Sequence, residues 1–333
     1  MNTKKGELMH RINLSNYQIH TDLIIDNSDL THEEKTIDDL TITRTKDKGN
    51  YITLSFKDIT NFEDREKVGH YLELILKDIL KLNNIKESAS CLIIGLGNRL
   101  STPDSLGVKT LEDIVITNHL FTLGSVKEGI RPVMALSPGV MSSTGIESSI
   151  IIKSICKEVK PDFIIAIDAL ASKNIERLNK TIQITDTGIH PGSGVGNNRL
   201  EISKKTLGIP VIAVGVPTVI TSEVLVIDTL DYLFKHISYI KEHESTYKLS
   251  FIKKNYRQKL NNLTLDDSDK SNLLGLFGTL NEKDKYNLIS EVLTSIDLNL
   301  IITPTEIDFL IAKLSNLIAS SINNALHRQI THF

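Results

Sequence analysis

From Ser90 onward, the chain is built from short apolar runs separated by stretches with helical spacing. The apolar runs are CLIIGLG, IRPVMALSPG, PDFIIAIDAL, KTIQIT and IPVIAVGVP, and the helical stretches include GIESSIIIKSICKEV and SEVLVIDTLDYLFKHISYI. Strands that alternate with helices predict βαβ units, so we expect an α/β fold with a mainly parallel twisted sheet flanked by helices. Ligands of such sheets bind at the carboxyl ends of the strands, so the loops there are the first place to search for a site.

The regions on either side of this alternation predict further elements. Near the N-terminus, TIDDLTITRTKDKGNYITLSFKD alternates around DKGN, which indicates a β-hairpin. Apolar residues at helical spacing follow from Val68 to Leu82. The C-terminal region is predicted to be helical, and Thr303 with Pro304 indicates the start of its last helix.

The length of 333 residues permits one large domain or two modest ones. We predict a single α/β domain over residues 23–333, preceded by a polar N-terminal segment at 1–22. Residues 243–275 are polar and interrupted, which favours an excursion from that domain.

The composition argues against several classes of protein. The net charge is −3 and the basic residues are dispersed, which does not favour direct nucleic-acid binding. No apolar run approaches the roughly 18–20 residues that span a bilayer, and the polar first residues do not resemble a signal peptide. The two cysteines, Cys91 and Cys156, lie in apolar segments without metal-ligand spacing. We therefore expect a cytoplasmic protein with buried thiols that binds no membrane.

Three predicted strand ends carry unusual loops. GLGNRLSTPDSLG contains Asp104, FIIAIDALASK contains Asp168, and TDTGIHPGSGVGNNR contains four glycines together with Asp186 and His190. A carboxylate at the end of a buried strand is costly unless another group pairs with it or uses it. A glycine-rich loop is costly to order, which indicates that its backbone has a function.

The two strand-end aspartates suggest acid–base chemistry. If Asp104 and Asp168 converge, like-charge repulsion separates their titrations, so one can hold a proton while the other accepts one from water. Carboxylate pairs that hydrolyse amides divide the work in this way. Converging carboxylates could also bind a divalent metal ion. Asp104, which follows Pro103 and precedes Ser105, could alternatively cap a helix.

Other motifs in the sequence are weaker. GSGVGN lacks the spacing of a dinucleotide loop, and no G-x-S-x-G elbow of a serine hydrolase is present. The DTG word at Asp186 matches pepsin-like proteases, but these need two such loops in a β-rich context. We therefore expect Asp186 to orient the glycine loop rather than to catalyse, and we retain His190 as a candidate site residue.

Several long words in the same order carry a family resemblance. They are SCLIIGLGN, TPDSLG, RPVMALSPGVMSSTGIE, KPDFIIAIDALAS, TIQITDTGIHPGSGVGN, LGIPVIAVGVPTV and ITPTEID. In these words the chain resembles the germination protease of spore-forming bacteria, an atypical acid protease that degrades small acid-soluble spore proteins. The resemblance implies a fold related to hydrogenase maturation proteases and a catalytic pair at Asp104 and Asp168. It implies neither a cofactor nor a metal ion.

The same resemblance implies how the protein is made and where it acts. The family is produced as an inactive zymogen that removes a short N-terminal propeptide, and it assembles as a homotetramer in the forespore and spore core. The cut lies near an R-T-D-L-A word, which here reads His20, Thr21, Asp22, Leu23 and Ile24. His20 replaces the arginine, so the family pattern does not fix the processing position in this chain.

Two alternatives from other classes remain open on the sequence. A metal-binding maturation protease would use Asp104, Asp168 and His190 to hold a metal ion of its target. A nonenzymatic module would use the glycine loop to bind peptides without turnover. In the protease hypothesis, Asn98 orients one carboxylate, and Asp186 and the glycine loop shape the cleft or supply N–H groups to the oxyanion.

Overall fold

The computed structural model describes residues 22–27, 29–124, 126–190, 200–242, 260 and 263–328. The described residues form two compact units. The sheet unit lies between His20 and Thr221 and between Ile301 and Phe333, and the helical unit lies between Ser222 and Leu300. Residues 1–21 of the predicted N-terminal segment, and 243–259, 261 and 262 of the predicted excursion, lie outside the described residues.

Nine strands in the described residues form one sheet. They are β1 (His32–Ile37), β2 (Leu40–Lys46), β3 (Asn50–Ser55), β4 (Cys91–Gly95), β5 (Val133–Leu136), β6 (Phe163–Ala171), β7 (Thr181–Thr185), β8 (Val211–Thr221) and β9 (Ile301–Ile302). Their order across the sheet is β1-β2-β3-β7-β8-β6-β4-β5, and β9 pairs with β8 outside this path.

The α/β class is confirmed, and the sheet is mixed. β5, β4, β6 and β8 are parallel neighbours, as the alternation of strands and helices predicts. β1, β2, β3 and β7 extend the sheet with antiparallel pairs. β7 is antiparallel to β8 because the connection from β6, residues 172–180, is shorter than the dozen or so residues of a crossover and keeps the chain at the same edge.

The predicted hairpin is confirmed as β2 and β3, joined by Asp47–Gly49. The sequence analysis did not predict β1, which pairs with β2 through a turn at Asp38 and Asp39. These two aspartates have φ values of 52° and 67°. Positive φ at both central residues is the requirement of the hairpin turn that matches strand twist, and aspartate tolerates it better than most residues.

Helices cover the sheet and make up the second unit. They are α1 (Phe62–Leu82), α2 (Leu106–Thr110), α3 (Asn118–Thr122), α4 (Met141–Thr144), α5 (Ser148–Val159), α6 (Lys204–Leu207), α7 (Ser222–Glu242), α8 (Asp267–Leu274), α9 (Leu276–Thr279), α10 (Glu282–Ser295) and α11 (Ile307–Leu326). Short 3₁₀ turns occur at Ile24–Asp26, Thr102–Asp104, Leu111–Asp113 and Ile175–Arg177. Among the described residues, no helix combines the length and the apolar character needed to cross a membrane.

The two faces of the sheet carry separate hydrophobic clusters. On one face, side chains of α1 and α11 pack against strand residues that include Ile165 and Ile167. On the other face, α5 packs against Ile164 and Ala166. Because alternate residues of a strand point to opposite faces, Asp168 lies on the face of Ile164 and Ala166.

The last helix begins later than the sequence predicts. α11 begins at Ile307, and Thr303 does not cap it. Instead, Thr303 Oγ1 donates a hydrogen bond to Thr218 O at 2.8 Å. Because Ile301 and Ile302 pair with the end of β8, Thr303 is held at the edge of the sheet before the helix begins.

Candidate active site

Asp168 lies near the carboxyl end of β6 and is only 5% exposed. Its Oδ1 accepts a hydrogen bond from the N–H of Ala169 at 2.9 Å. Its register partner on β8 is Gly215. The side chain of Leu170 lies against Gly215, because a Cβ added to this glycine would be 2.4 Å from Leu170 Cδ1. The carboxylate is thus in the position where parallel sheets bind ligands.

Asp104 ends the 3₁₀ turn that follows β4. Its carbonyl oxygen accepts a hydrogen bond from the N–H of Asn98 at 3.0 Å. A Cβ on Gly97 would lie 1.9 Å from that oxygen and 3.1 Å from Asp104 Oδ1, and Gly97 has φ of 103°. Only glycine permits this approach, because both the space and the dihedral angle exclude a side chain.

Asn98 stabilises the same loop through both its backbone and its side chain. Its side-chain Oδ1 accepts from the N–H of Leu100 at 3.0 Å, and its carbonyl oxygen accepts from the N–H of Ser101 at 3.0 Å. This is the local turn that asparagine side chains favour. In the structure, therefore, the backbone N–H of Asn98 holds Asp104 while its side chain closes the loop.

Backbone contacts join the loop of Asp104 to the strand of Asp168. The N–H of Leu96 donates to the carbonyl oxygen of Ile167, the residue before Asp168, at 2.9 Å. Gly107 in α2 approaches both residues, since its Cβ would lie 2.3 Å from Ile167 O and 2.5 Å from Leu96 O. The structure thus brings the backbones that carry Asp104 and Asp168 to one edge of the sheet, on the neighbouring strands β4 and β6.

Thr218, which the sequence analysis did not select, holds the loop of Asp104 to β8. It is fully buried, and its Oγ1 donates to the carbonyl oxygen of Pro103 at 2.8 Å. The threonine directly after the apolar run IPVIAVGVP was the available signal, because a buried hydroxyl needs a partner.

Asp186 is the centre of a hydrogen-bond cluster at the start of the glycine loop. Its carboxylate accepts from Asn50 N–H at 2.8 Å, Asn50 Nδ2 at 2.6 Å and Asn83 Nδ2 at 3.2 Å. It therefore ties the β2–β3 turn and the end of α1 to the loop. His190 is exposed, and residues 191–199 of the loop lie outside the described residues.

The segment 22–27, which we call the anchored segment, is bound to the end of β6 and to the middle of β7. The N–H of Asp22 donates to Ala171 O at 3.2 Å, and Ala171 N–H donates to Asp22 Oδ2 at 3.0 Å. Gln183 Nε2 donates to Asp22 O at 2.9 Å, while its Oε1 accepts from the N–H of Ile24 at 2.7 Å. Leu23, between them, is 1% exposed.

The C-terminal end of the anchored segment is held by an ion pair. The Asp26 carboxylate, whose side chain is 4% exposed, pairs with Arg177. It also accepts from the N–H of Lys173 at 3.1 Å. The sequence analysis selected Thr21, Asp22 and Leu23 as the cleavage region but missed Gln183 and Asp26. Gln183 was detectable as a polar residue inside the apolar run KTIQIT. Thr21 lies outside the described residues.

A cavity of about 760 Å³ opens over β7 and β8. Its walls include the anchored segment, Gln183, Gly215, Asp186 and His190, as well as Leu170, which is two residues from Asp168 on the same face of β6. The structure therefore brings Asp22 and Leu23, from the predicted cleavage region, and the start of the glycine loop to one cavity. Neither Asp104 nor Asp168 lines this cavity.

In the described parts of the chain, no three His, Cys, Asp or Glu side chains converge in an arrangement that could hold a metal ion. Neither cysteine forms a disulfide. Burial raises the pKa of the Cys91 thiol, and burial also raises the pKa of the Cys156 thiol. Both groups are therefore protonated thiols at neutral pH rather than reactive thiolates.

Comparisons with a family model and with individual known proteins all point to one protein family. A family model described as germination protease matches residues 12–332. The chain is 47% identical over 294 residues to the germination protease of Geobacillus sp. (strain WCH70), which covers 86% of this chain and 79% of that protein. It is 42% identical to the germination proteases of Bacillus pumilus (strain SAFR-032) and Bacillus cereus (strain AH187), with 96% of both chains covered in each comparison.

Proposed function

The chain belongs to the germination protease family and hydrolyses peptide bonds, and on this basis we propose that it starts the degradation of small acid-soluble spore proteins during germination. These proteins are unfolded when they are free, and an unfolded chain can enter a narrow cleft at a sheet edge. The enzyme recognises the polypeptide and does not need to contact the DNA that the spore proteins protect.

Asp104 and Asp168 divide the chemistry in this proposal. One carboxylate accepts a proton from water, whose oxygen attacks the peptide carbonyl carbon, while the other, protonated, donates to the carbonyl oxygen. Collapse of the tetrahedral intermediate breaks the C–N bond, and the nitrogen leaves with a proton from the pair. The observation that supports this most strongly is the Leu96–Ile167 hydrogen bond, which with Gly107 holds the loop of Asp104 to the strand of Asp168.

The remaining site residues support the pair. Asp186 anchors the glycine loop, whose backbone N–H groups stabilise the developing oxyanion. Asn98 fixes the position of Asp104 through its backbone N–H. His190 borders the large cavity, where it contacts the substrate chain.

The proposal includes a zymogen. Cleavage in the region of Thr21, Asp22 and Leu23 removes the residues before it, which cover the cleft in the precursor. The bonds from Gln183 and Ala171 to the anchored segment support a cut on its N-terminal side, because the segment then stays in place as a wall of the cavity. We further propose a homotetramer that acts in the forespore and spore core, with a fold related to hydrogenase maturation proteases.

The two alternatives are less favoured. A metal-binding maturation protein and a nonenzymatic peptide-binding module both conflict with membership of the germination protease family, to which the match extends over nearly the whole chain.

The test uses Asp104→Asn and Asp168→Asn with a purified small acid-soluble spore protein as substrate. Each change keeps the shape of the side chain but removes its acid–base function, so the cleavage rate should fall by at least about 100-fold. Asp39→Asn, in the exposed β1–β2 turn, is the matched control and should cleave at the wild-type rate. Full cleavage by either site variant would remove that residue from the mechanism.

Mass spectrometry of the same samples also tests the zymogen. Incubation of the wild type under activating conditions should release a fragment that ends near Thr21. If activity develops while the enzyme keeps its full mass, the propeptide part of the proposal is wrong.

A further inference from the structure

Strand β8 contains a β-bulge just beyond the level of Asp168. Its register with β6 shifts by one residue between the pairs Leu170–Pro217 and Ala171–Val219. Thr218, between the two β8 residues, therefore has no register partner on β6. Proline has no N–H to give to a neighbouring strand, so within sheets it occurs at edges, strand starts and bulges. A bulge re-aims a side chain, and bulges are common next to active sites.

At this bulge, the side chain of Thr218 reaches the loop of Asp104. The threonine is fully buried, and its Oγ1 donates to the carbonyl oxygen of Pro103 at 2.8 Å. Its own carbonyl oxygen accepts from Thr303 Oγ1 at 2.8 Å. Hydrogen bonds thus join Thr218 to the loop on one side and to the segment after β9 on the other.

The Thr218 hydroxyl bonds the peptide group that precedes Asp104. Pro103 O belongs to the same planar unit as the N–H of Asp104, and this N–H donates to Ser101 O at 2.9 Å. On the other side of the Asp104 Cα, the carbonyl oxygen accepts from the N–H of Asn98 at 3.0 Å. Both peptide planes next to Asp104 are therefore held, and these planes set the direction in which its side chain leaves the backbone.

Thr218 differs from the other two partners in its place in the fold. The other two belong to the loop of Asp104, so their bonds fix the shape of the loop. Thr218 belongs to β8, which pairs directly with the strand of Asp168, and it follows Gly215, the register partner of Asp168, by three residues. At a rise of about 3.3 Å per residue, it lies roughly 10 Å along the strand from the level of Asp168. Its bond therefore fixes where the loop sits on the sheet.

We propose that Thr218 is a positioning residue for peptide-bond hydrolysis. Through the carbonyl oxygen of Pro103, it holds the carboxylate of Asp104 where the pair with Asp168 can divide the roles of acid and base. The hydroxyl acts through Asp104 and does not contact the substrate, because Thr218 is fully buried. This inference deepens the function proposed above and rests on it, because it takes Asp104 as one of the two catalytic carboxylates.

Three variants test the hydroxyl and its support. Thr218→Val keeps the branched shape of the side chain but cannot donate a hydrogen bond. Thr218→Ser is the conservative variant, which keeps the hydroxyl and loses a methyl group. Thr303→Val is a milder change, because it removes the bond to Thr218 O and leaves the Thr218 hydroxyl in place.

Thr117→Val is the matched control. Thr117 is 2% exposed, and its Oγ1 donates to Arg131 O and accepts from the N–H of Val133 at 3.0 Å. Val133 begins β5, so this hydroxyl lies at the amino end of the parallel strands, opposite to the end that carries the proposed site. The control thus removes a buried hydroxyl that makes at least as many hydrogen bonds as that of Thr218, but away from Asp104.

With a small acid-soluble spore protein as substrate, we expect kcat of Thr218→Val to be about tenfold lower and KM to stay within about twofold of wild type. Thr218→Ser should restore most of kcat, and Thr303→Val should lower kcat at least about twofold. Thr117→Val should lose stability in urea but keep the wild-type kcat. An unchanged kcat in both Thr218→Val and Thr303→Val would overturn the inference, and so would an equal loss of kcat in Thr117→Val.

Hydrogen exchange tests the same contact without turnover. Mass spectrometry should show that amides of residues 98–105 exchange about tenfold faster in Thr218→Val than in wild type or Thr117→Val. If wild type does not cleave the spore protein, the function proposed above is wrong, and the exchange rates still decide whether Thr218 holds the loop. If wild type cleaves the spore protein and the exchange rates are equal, the inference is wrong while the proposed function stands.

Discussion

Gly107→Ala tests whether the close packing of α2 on the sheet holds the proposed site together. The added Cβ would lie 2.3 Å from Ile167 O, 2.5 Å from Leu96 O and 2.6 Å from Leu96 N. All three are backbone atoms, which cannot rotate away. To reach 3.0 Å from Ile167 O, the shortest separation that real Cβ atoms show, α2 or β6 must move by at least about 0.7 Å.

The expected cost follows from two opposing effects. Overpacking of a tight contact costs about 1–3 kcal/mol, and a contact with backbone belongs at the upper end of that range. Alanine is favoured over glycine in a helix by up to about 1 kcal/mol, which offsets part of the cost. We expect the free energy of unfolding to fall by about 2 kcal/mol. Cleavage by the folded variant should also slow, because Leu96 and Ile167 adjoin the loop of Asp104 and the strand of Asp168.

Gly69→Ala is the matched control for this change. Gly69 is in the middle of α1, and the nearest atom to its added Cβ is Ser321 Oγ at 3.8 Å. The same substitution should therefore stabilise the protein by about 0.5–1 kcal/mol. Urea denaturation of both variants and a cleavage assay below the transition give the comparison. If Gly107→Ala is as stable as Gly69→Ala, the argument that α2 holds the loop of Asp104 to the strand of Asp168 is wrong.

Two further predictions concern the anchored segment and the response to pH. Gln183→Leu removes the hydrogen bonds to Asp22 and Ile24, so thermolysin should cut the anchored segment at least about tenfold faster. Mass spectrometry maps the cut. An unchanged cleavage rate would show that Gln183 does not hold the anchored segment. Burial, aided by the charge of Arg131, lowers the pKa of His327 below its usual 6.5, so the unfolded chain binds the proton more readily than the folded one. The contribution of His327 to the free energy of unfolding should therefore be complete above about pH 6.5 and decline as the pH falls below it. Urea titrations between pH 7 and 5 should show a flatter decline for His327→Gln than for the wild type. Equal slopes for the two proteins would refute the assignment.

The local pattern of the sequence determined much of the fold. The apolar runs from Ser90 onward, alternating with helical stretches, predicted the parallel strands β4, β5, β6 and β8. The run KTIQIT belongs to the same set but forms the antiparallel strand β7. The alternation of apolar and polar residues around DKGN predicted the β2–β3 hairpin. Such a period of two residues is visible in the sequence even when the neighbouring strand is unknown. The sequence placed Asp168 at the end of its strand, but β6 continues to Ala171, because the residues after Asp168 still pair with β8.

The tertiary structure decided what depends on partners distant in the chain. Thr303 has the pattern of a helix cap but donates to Thr218, 85 residues away, because β9 holds it at the sheet edge. Gln183 is a polar residue in a strand until the fold places Asp22 and Ile24 beside it. A sequence shows the cost of burying such a group, but only the packed structure shows which group satisfies it, because hydrogen bonds require distances that local patterning does not encode.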